Sequence, residues 1–196
     1  MGCSNSSQKQ RTSELSWGNS TRTQTSKNNF KVVFLGKSGV GKTSITLRFC
    51  RDTFQPGTEA TIGASFLTKM MNVTNRNIKF EMWDTAGQER YRALAPMYYR
   101  NADAAVLVYD ITDAESFNAL QSWYSELQKN VPDCIIMLAG NKLDLGSEKR
   151  RVSMEQAEIY AGEKDCPLLE VSSKTGENIQ ELFQKLGHAL TAKFPG

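Results

Sequence analysis

A glycine-rich segment near the start of the chain constrains the fold more than any other: Gly36–Thr43, with the sequence GKSGVGKT. An apolar run at 30–35 that favours a β-strand comes before it, and apolar residues at helical spacing follow at 44–50. A strand, a glycine-rich turn and a helix start are the context that the pattern G-x-x-x-x-G-K-[ST] requires. Its glycines allow backbone N–H groups to converge beside a helix N-terminus, where anions bind. The segment predicts a phosphate-binding loop in an α/β fold.

The end of this segment also predicts a metal ion beside the phosphates. Lys42 supplies a point charge for the β- and γ-phosphates, and the Thr43 hydroxyl can ligate Mg²⁺. The residues predicted to surround the phosphates are Ser38, Gly39, Val40, Gly41, Lys42, Thr43 and Ser44.

Length, composition and charge limit the class of protein. With 196 residues, of which 39% are hydrophobic, the chain suits one α/β domain. No apolar run approaches the roughly 18 residues of a membrane span, and the four scattered cysteines lack the spacing of a metal site or a disulfide scaffold, which fits a reducing compartment. Residues 1–29 carry four basic side chains and one acidic one, and the other residues carry 20 of each. The neutral domain gives no reason to expect a nucleic-acid partner.

The first residues predict a lipid anchor. Residues 1–28 are mostly polar and predict a flexible tail ahead of a globular domain at 29–196. The start MGCSNS matches the acceptor pattern for N-myristoylation of Gly2. A single myristoyl chain binds membranes reversibly, and palmitoylation of the adjacent Cys3 would add the second anchor. The alternative is a glycine that follows the initiator methionine by chance.

Strands and helices are predicted to alternate from residue 30 onward. A turn at 74–77 predicts a hairpin between the second and third strands, so one strand should be antiparallel in a six-stranded, mostly parallel sheet with about five helices on both faces. Strands are predicted at 30–35, 66–73, 78–84, 104–111, 134–140 and 167–172, and helices at 42–51, 88–100, 114–129, 153–164 and 177–193.

A second group of residues predicts the chemistry at the terminal phosphate. Asp84 ends the third predicted strand, on the same sheet edge as the phosphate loop, and can hold Mg²⁺. Gly87 brings its N–H close to a γ-phosphate, and Gln88 is placed to orient an attacking water. Thr61, in the segment between the first helix and the second strand, is a further hydroxyl for the metal, although a plain surface loop is the alternative there.

A third group predicts which base is bound. Asn141–Asp144 follows the fifth predicted strand, and the Asp144 carboxylate can accept from both N1–H and the exocyclic amine of guanine. Adenine offers a mismatched edge, and an unpaired carboxylate against it would cost several kcal/mol. Asn141 braces the loop and the Lys142 stem lies along the base. Backbone N–H groups of Ser172, Ser173 and Lys174, at the end of the sixth strand, can meet the guanine oxygen.

Together these motifs resemble the small Ras-like GTPases, and more closely the Rab family, over residues 29–193. The Rab-like segments include 62–66, 79–83, 90–94 and 107–112, and the stretch LAPMYYR at 94–100 is similar to the early-endosomal Rab branch. The resemblance implies that Phe54 stacks on guanine and that Phe66, Trp83 and Tyr98 face effector proteins. It also implies an exchange factor, a GTPase-activating protein that supplies an arginine, and a monomer.

Two departures from the Rab pattern bear on membrane attachment and base binding. Rabs usually end in prenylated cysteines, whereas this sequence ends in TAKFPG. Its Met-Gly-Cys start resembles the acylated start of some plant and protist relatives of the early-endosomal branch. Ser173 stands where the family commonly has alanine, and a contact through its backbone should survive.

Two other GTPase families fit less well. Heterotrimeric α subunits carry a long insertion between the phosphate loop and the switch threonine, but here Thr43 and Thr61 are 18 residues apart and Thr58 replaces their arginine. Arf proteins have DVGGQ where this chain has DTAGQ at 84–88.

The prediction is a switch that hydrolyses GTP to GDP at Mg²⁺ and regulates vesicular traffic. It would act on the cytoplasmic face of endosomal or plasma membranes. The alternative is a nucleotide-dependent effector-binding module with negligible hydrolysis, against which Gln88 argues.

Overall fold

A computed structural model describes residues 1–2, 27–57 and 59–195, with backbone only for Glu89 and Arg90. The proposed palmitoylation site Cys3, most of the predicted tail and Thr58 lie outside the described residues. Where the chain enters the domain, the Arg76 guanidinium donates to the carbonyl of Lys27 and, over 2.9 Å, to the side-chain oxygen of Asn28.

Six strands form one sheet in the order β2-β3-β1-β4-β5-β6, with every pair parallel except β2–β3. The strands are β1 (Asn29–Leu35), β2 (Ala64–Val73), β3 (Arg76–Thr85), β4 (Ala104–Asp110), β5 (Ile135–Asn141) and β6 (Leu168–Glu170). The α-helices are α1 (Lys42–Arg51), α2 (Ala95–Tyr99), α3 (Ala114–Asn118), α4 (Leu120–Asn130), α5 (Gly146–Lys149), α6 (Met154–Glu163) and α7 (Ile179–Lys193). The predicted α/β class and mixed sheet are confirmed.

The antiparallel pair forms because the chain reverses through two residues. Val73 pairs with Arg76, and the intervening Thr74 and Asn75 both have positive φ (49° and 64°). Two successive positive φ angles match the right-handed twist of a two-residue hairpin. The predicted hairpin is therefore confirmed. Its turn has two residues instead of the four predicted at 74–77.

Apolar layers cover both faces of the sheet, as a buried parallel sheet requires. On one face, Phe49 of α1 and Phe183 of α7 stack with ring centroids 3.5 Å apart, and both pack on Phe80 of β3. On the other face, Trp123 and Leu127 of α4 belong to a second buried cluster. The two layers bury the strands on both faces, and the loops that form the site start at the carboxyl ends of these strands.

The prediction of one helix at 88–100 is wrong. A 3-10 helix at Glu89–Leu94 comes first, and α2 begins at Ala95 with Pro96 in its first turn. Proline has no N–H to donate, so it is tolerated where a helix starts but interrupts a continuous helix. This segment therefore consists of two short helices instead of one long helix.

Two other helices also differ from their predicted bounds. The helix predicted at 114–129 is divided into α3 and α4 at Ala119, which keeps helical dihedral angles. The last helix begins at Ile179, after Asn178 in the left-handed conformation at φ 59°. No helix in the described part of the chain is long and apolar enough to cross a membrane.

Candidate functional site

A cavity of about 380 Å³ lies at the carboxyl edge of the parallel strands. The loops after β1, β3 and β5 and the loop after β6 all reach it, which is where open α/β sheets bind ligands. Predicted site residues that line it are Ser38, Gly39, Gly41, Lys42, Thr43, Ser44, Phe54, Thr61, Gly87, Asn141, Lys142, Asp144, Ser173 and Lys174. The structure thus brings the three predicted groups together.

The phosphate loop leaves the start of α1 open to an anion. Gly41 is the N-cap residue at φ 94°, no side chain caps the helix, and no acidic residue lies in its first turn. A Cβ at Gly41 would lie 2.2 Å from the Asn141 side-chain nitrogen, so only glycine fits. The free N–H groups and the helix dipole both favour phosphate there.

Lys42 is held within the same loop. Its ammonium group donates to the carbonyls of Gly36 (2.9 Å) and Lys37 (3.0 Å). Burial lowers the pKa of Lys42 to about 8, and the charge of Asp84 opposes that shift. A phosphate beside the ammonium group would restore its preference for the charged form.

Three side-chain oxygens meet beside the phosphate loop. The Thr43 hydroxyl donates to Asp84 Oδ2 over 2.6 Å and lies 3.0 Å from the Thr61 hydroxyl oxygen. Among the described residues, buried Asp84 Oδ1 has no hydrogen-bond partner, and burial raises the pKa of this carboxyl. A hard cation prefers such oxygen ligands and would compensate the buried carboxylate. The residues fit Mg²⁺.

Asn141 braces the opposite wall of the cavity. Its side chain is fully buried and donates to the carbonyl of Val40 (2.8 Å) and to the Ser173 hydroxyl (3.2 Å). Its side-chain oxygen accepts from the Ser173 N–H at 3.0 Å. One amide therefore links the phosphate loop to the loop after β6. The Ser173 N–H is already used, which leaves the Lys174 N–H as that loop's donor for a base.

Asp144 points its carboxylate into this loop. Oδ1 accepts from the Ser172 hydroxyl at 2.6 Å, and Oδ2 lies 3.7 Å from the Lys174 ammonium nitrogen. Ser172 is buried behind the cavity and also accepts from the Thr175 N–H. The predicted base-reading carboxylate is thus oriented by the protein itself.

Gln88 does not line the main cavity but lies in a pocket next to it. It lines a neighbouring pocket of about 270 Å³ with Lys37, Arg92 and Trp123, and Gly87 lines both spaces. A Cβ on Gly87 would lie 2.4 Å from the Lys42 ammonium nitrogen and 2.5 Å from the Ser38 backbone nitrogen. Only a glycine lets the chain pass this close to the phosphate loop.

The three predicted effector-facing aromatics form one row. Ring centroids are 5.2 Å apart for Phe66 and Trp83, and 6.2 Å apart for Trp83 and Tyr98. Phe66 is half exposed. Two further exposed apolar side chains are close in sequence to the row: Ile62, four residues before Phe66, and Met97, directly before Tyr98. The row is an apolar surface beside the cavity.

Comparison with known proteins agrees with this arrangement. The model of the Ras family matches residues 31–192, which is most of the chain. The chain belongs to the Ras family. GTP-binding protein ypt5 of Schizosaccharomyces pombe is similar to it, with 52% identity over 164 residues that cover 83% of this chain and 78% of that protein.

The family match and the similarity to ypt5 together confirm the function predicted from the sequence. The protein is a Rab-type GTPase that hydrolyses GTP and acts in membrane traffic. As a Rab-type protein it binds guanine nucleotide, effectors, an exchange factor and an activating protein.

Sequence reasoning missed Asp110, which holds Lys142 of this Ras-family site in place. Lys142, at φ 69°, places its ammonium nitrogen 2.6 Å from an oxygen of Asp110, the last residue of β4. The other oxygen of Asp110 accepts from the N–H and hydroxyl of Thr112. Asp110 pairs in register with Asn141 across β4 and β5. The sequence does show an acidic residue, Asp110, at the end of a predicted strand. Only the strand order shows that this strand, β4, lies beside β5.

Proposed function

We propose that this protein is a Rab GTPase of the early-endosomal branch, attached to membranes by acyl groups on Gly2 and Cys3. The observation that carries the nucleotide assignment is the single cavity lined by the phosphate loop, Thr61, Gly87 and the Asn141–Asp144 loop. The switch is further proposed to work as a monomer, as the Rab resemblance implies.

The phosphate side would hold GTP and Mg²⁺. N–H groups of residues 38–44 would donate to the phosphates, and the charge of Lys42 would lie against the β- and γ-oxygens. Thr43, Thr61 and Asp84 would hold Mg²⁺, Asp84 through water. The metal would neutralise charge between the β- and γ-phosphates when bound.

The base side would select guanine. Asp144 accepts from both donors of the guanine edge, and its hydrogen bond from Ser172 fixes the carboxylate for that task. Phe54 would stack on one face of the base and the Lys142 stem would lie on the other. Asn141 holds the two loops together behind the base.

Hydrolysis would depend on Gln88 and on a partner. Gln88 orients the attacking water, and the Gly87 N–H contacts the γ-phosphate. In the part of the chain that the structure describes, no arginine lines the main cavity. Slow intrinsic hydrolysis follows, with an activating protein supplying a cation for the transition state.

The chemistry is tested by single-turnover hydrolysis with and without an activating protein. Gln88→Leu should keep GTP affinity and lower the stimulated rate at least about tenfold, because water positioning acts in the transition state. Equal stimulated rates in the variant and the parent would remove Gln88 from the mechanism. The nucleotide released on denaturing the purified protein provides the control: ATP, or none, would contradict the guanine site.

Membrane attachment is tested in cells by fractionation with intact-mass measurement. Gly2→Ala should abolish both acylations and leave the protein in the cytosol, because the unanchored Cys3 rarely meets a membrane-bound acyltransferase. Cys3→Ser should keep the myristoyl group and bind many membranes weakly. A Gly2→Ala protein that still pellets with membranes would place the anchor elsewhere.

The surface formed by Phe66, Trp83 and Tyr98 would bind effectors in the GTP state only. It lies between residues 54–66 and 86–98, which a γ-phosphate would order through Thr61 and Gly87. The proposed place of action is the cytoplasmic face of endosomal or plasma membranes. A Rab effector would be recruited there.

A further inference from the structure

Arg48 of α1 holds the loop after β6 from behind. Its Nε donates to the carbonyl of Ser173 at 2.9 Å, and one terminal nitrogen donates to the carbonyl of Lys174 at 2.6 Å. The side chain is only 15% exposed although it is charged. Two adjacent backbone carbonyls therefore receive a charge-assisted pair of hydrogen bonds from one planar group.

These bonds fix the direction of a backbone donor. In a planar trans peptide, the carbonyl of one residue and the N–H of the next point in opposite directions. The Ser173 carbonyl is drawn to Arg48, so the Lys174 N–H must point away from α1. Ser173 and Lys174 both line the nucleotide cavity. The Ser173 N–H already donates to the Asn141 side-chain oxygen. The backbone donor that Arg48 directs is therefore the Lys174 N–H.

The same guanidinium reaches the segment before Phe54. Its other terminal nitrogen donates to the backbone carbonyl of Asp52 (3.1 Å) and to a carboxylate oxygen of the same residue (3.0 Å). Asp52 ends α1 in the left-handed conformation at φ 52°, two residues before Phe54. One side chain thus joins the base-edge loop to the start of the segment that carries the stacking ring.

We propose that Arg48 is a positioning residue for guanine recognition: it directs the Lys174 N–H to the 6-oxygen of guanine and ties that loop to the segment before Phe54. The inference rests on the proposed guanine site. Arg48 itself would not contact the nucleotide, since it acts through the backbone of Ser173 and Lys174.

The test compares GDP with 6-thio-GDP on the full-length protein with Mg²⁺. Sulfur is a weak acceptor, whereas the N1–H and amino group that Asp144 reads stay unchanged. Arg48→Met should lower GDP affinity by about tenfold or more and 6-thio-GDP affinity by less than about threefold, because the hydrogen bond to the 6-position is lost mainly for GDP, whereas any loosening of the Phe54 segment lowers both affinities alike. Arg51→Met is the matched control: it removes the same charge from an exposed position on the same helix, and both affinities should stay within about twofold of the parent.

The outcomes separate three cases. Equal losses for both nucleotides in Arg48→Met would mean that Arg48 only stabilises the fold, and the inference would be overturned. If Arg48→Met does not fold, Arg48→Lys decides: one ammonium group cannot hold both carbonyls and Asp52 in one plane, so the preference for GDP over 6-thio-GDP should fall at least about threefold. An unchanged preference would also overturn the inference. A parent protein that binds neither nucleotide would instead contradict the proposed guanine site.

Discussion

The two sides of the nucleotide cavity are built differently. On the base side, Asn141, Ser172 and Ser173 are buried, and hydrogen bonds join them to the phosphate loop and to Asp144. On the switch side, residues 54–66 and 86–98, Ile62 is 79% exposed and Met97 71% exposed. Buried hydrogen bonds join the residues of the base side to one another, whereas described contacts of the switch side, such as the one between the Thr43 and Thr61 hydroxyls, join partly exposed side chains.

This difference explains how one cavity can both retain a nucleotide and report its state. A preorganised base side binds GDP and GTP alike, because both carry the same base. The loosely held switch side changes only when a γ-phosphate adds contacts to it. Substitutions on the base side should therefore change affinity for both nucleotides, and substitutions on the switch side should separate GTP from GDP.

The largest effect is expected at Asp144. Asp144→Asn removes the acceptor for both guanine donors and places an amide against them, so GTP and GDP affinity should both fall about a hundredfold to a thousandfold. Xanthosine triphosphate should bind better than to the parent, because the amide can donate to the extra carbonyl. Titration calorimetry with the three nucleotides measures this, and unchanged GTP affinity would show that Asp144 does not read guanine.

A substitution at Gly87 should act on the switch side alone. In Gly87→Ala the new methyl group would meet the Ser38 nitrogen and the carbonyl carbon of Lys37 at 2.5 and 2.6 Å, so residues 86–88 must move away from the phosphate loop. We expect GDP affinity within about threefold of the parent and stimulated GTP hydrolysis at least about tenfold slower. Gly162→Ala is the control, because open space surrounds that position. A parallel loss of GDP affinity in Gly87→Ala would contradict the division into two sides.

The same division marks what the sequence could predict. The base side and phosphate loop follow from short motifs at strand ends, and most of the residues in those motifs line one cavity. The switch side is where a prediction failed: the 88–100 pattern indicated one helix, but Pro96 restarts it. Contacts across the fold, such as Asp110 with Lys142 and Arg48 with Ser173, join residues distant in sequence. No local pattern encodes those contacts, because they depend on strand order and helix placement.

Nucleotide affinity should depend on pH through Lys42. Its pKa of about 8 lies below the usual 10.5, so between these values the free folded protein binds fewer protons than the unfolded chain, and its unfolding free energy rises with pH. Phosphates favour the charged form, so binding takes up a proton above pH 8. GDP affinity should then fall by up to about tenfold between pH 8 and pH 9. Calorimetry in buffers of different ionisation enthalpy measures the proton uptake. Lys42→Met should bind more weakly and lose this slope, and a flat profile in the parent would contradict the prediction.

The smallest effect is expected where the switch side rests on α4. Arg92 lies 4.4 Å from the centre of the Trp123 ring and 3.2 Å from Glu126, whose other oxygen accepts from the Tyr99 hydroxyl at 3.0 Å. Arg92 is 42% exposed, so solvent weakens this ion pair and its loss should cost less than about 1 kcal/mol. Glu126→Gln keeps an amide oxygen for Tyr99 but removes the charge that Arg92 faces. Burial raises the pKa of Tyr99 to about 12, with the hydrogen bond to Glu126 adding to that shift, so the hydroxyl remains a donor at neutral pH.

Hydrogen exchange on the GDP-bound protein measures whether the loss of this ion pair loosens only the switch side or the base side as well. In Glu126→Gln, amides of residues 91–99 should exchange faster, because the ion pair holds that segment on α4, while amides of β5 and α1 should keep the parent's rates. Glu158→Gln, which removes an exposed charge from α6, is the control and should change neither region. If Glu126→Gln accelerated exchange in β5 and α1 as well, the switch side would not open independently of the base side, and the comparison of two separately stabilised sides would fail.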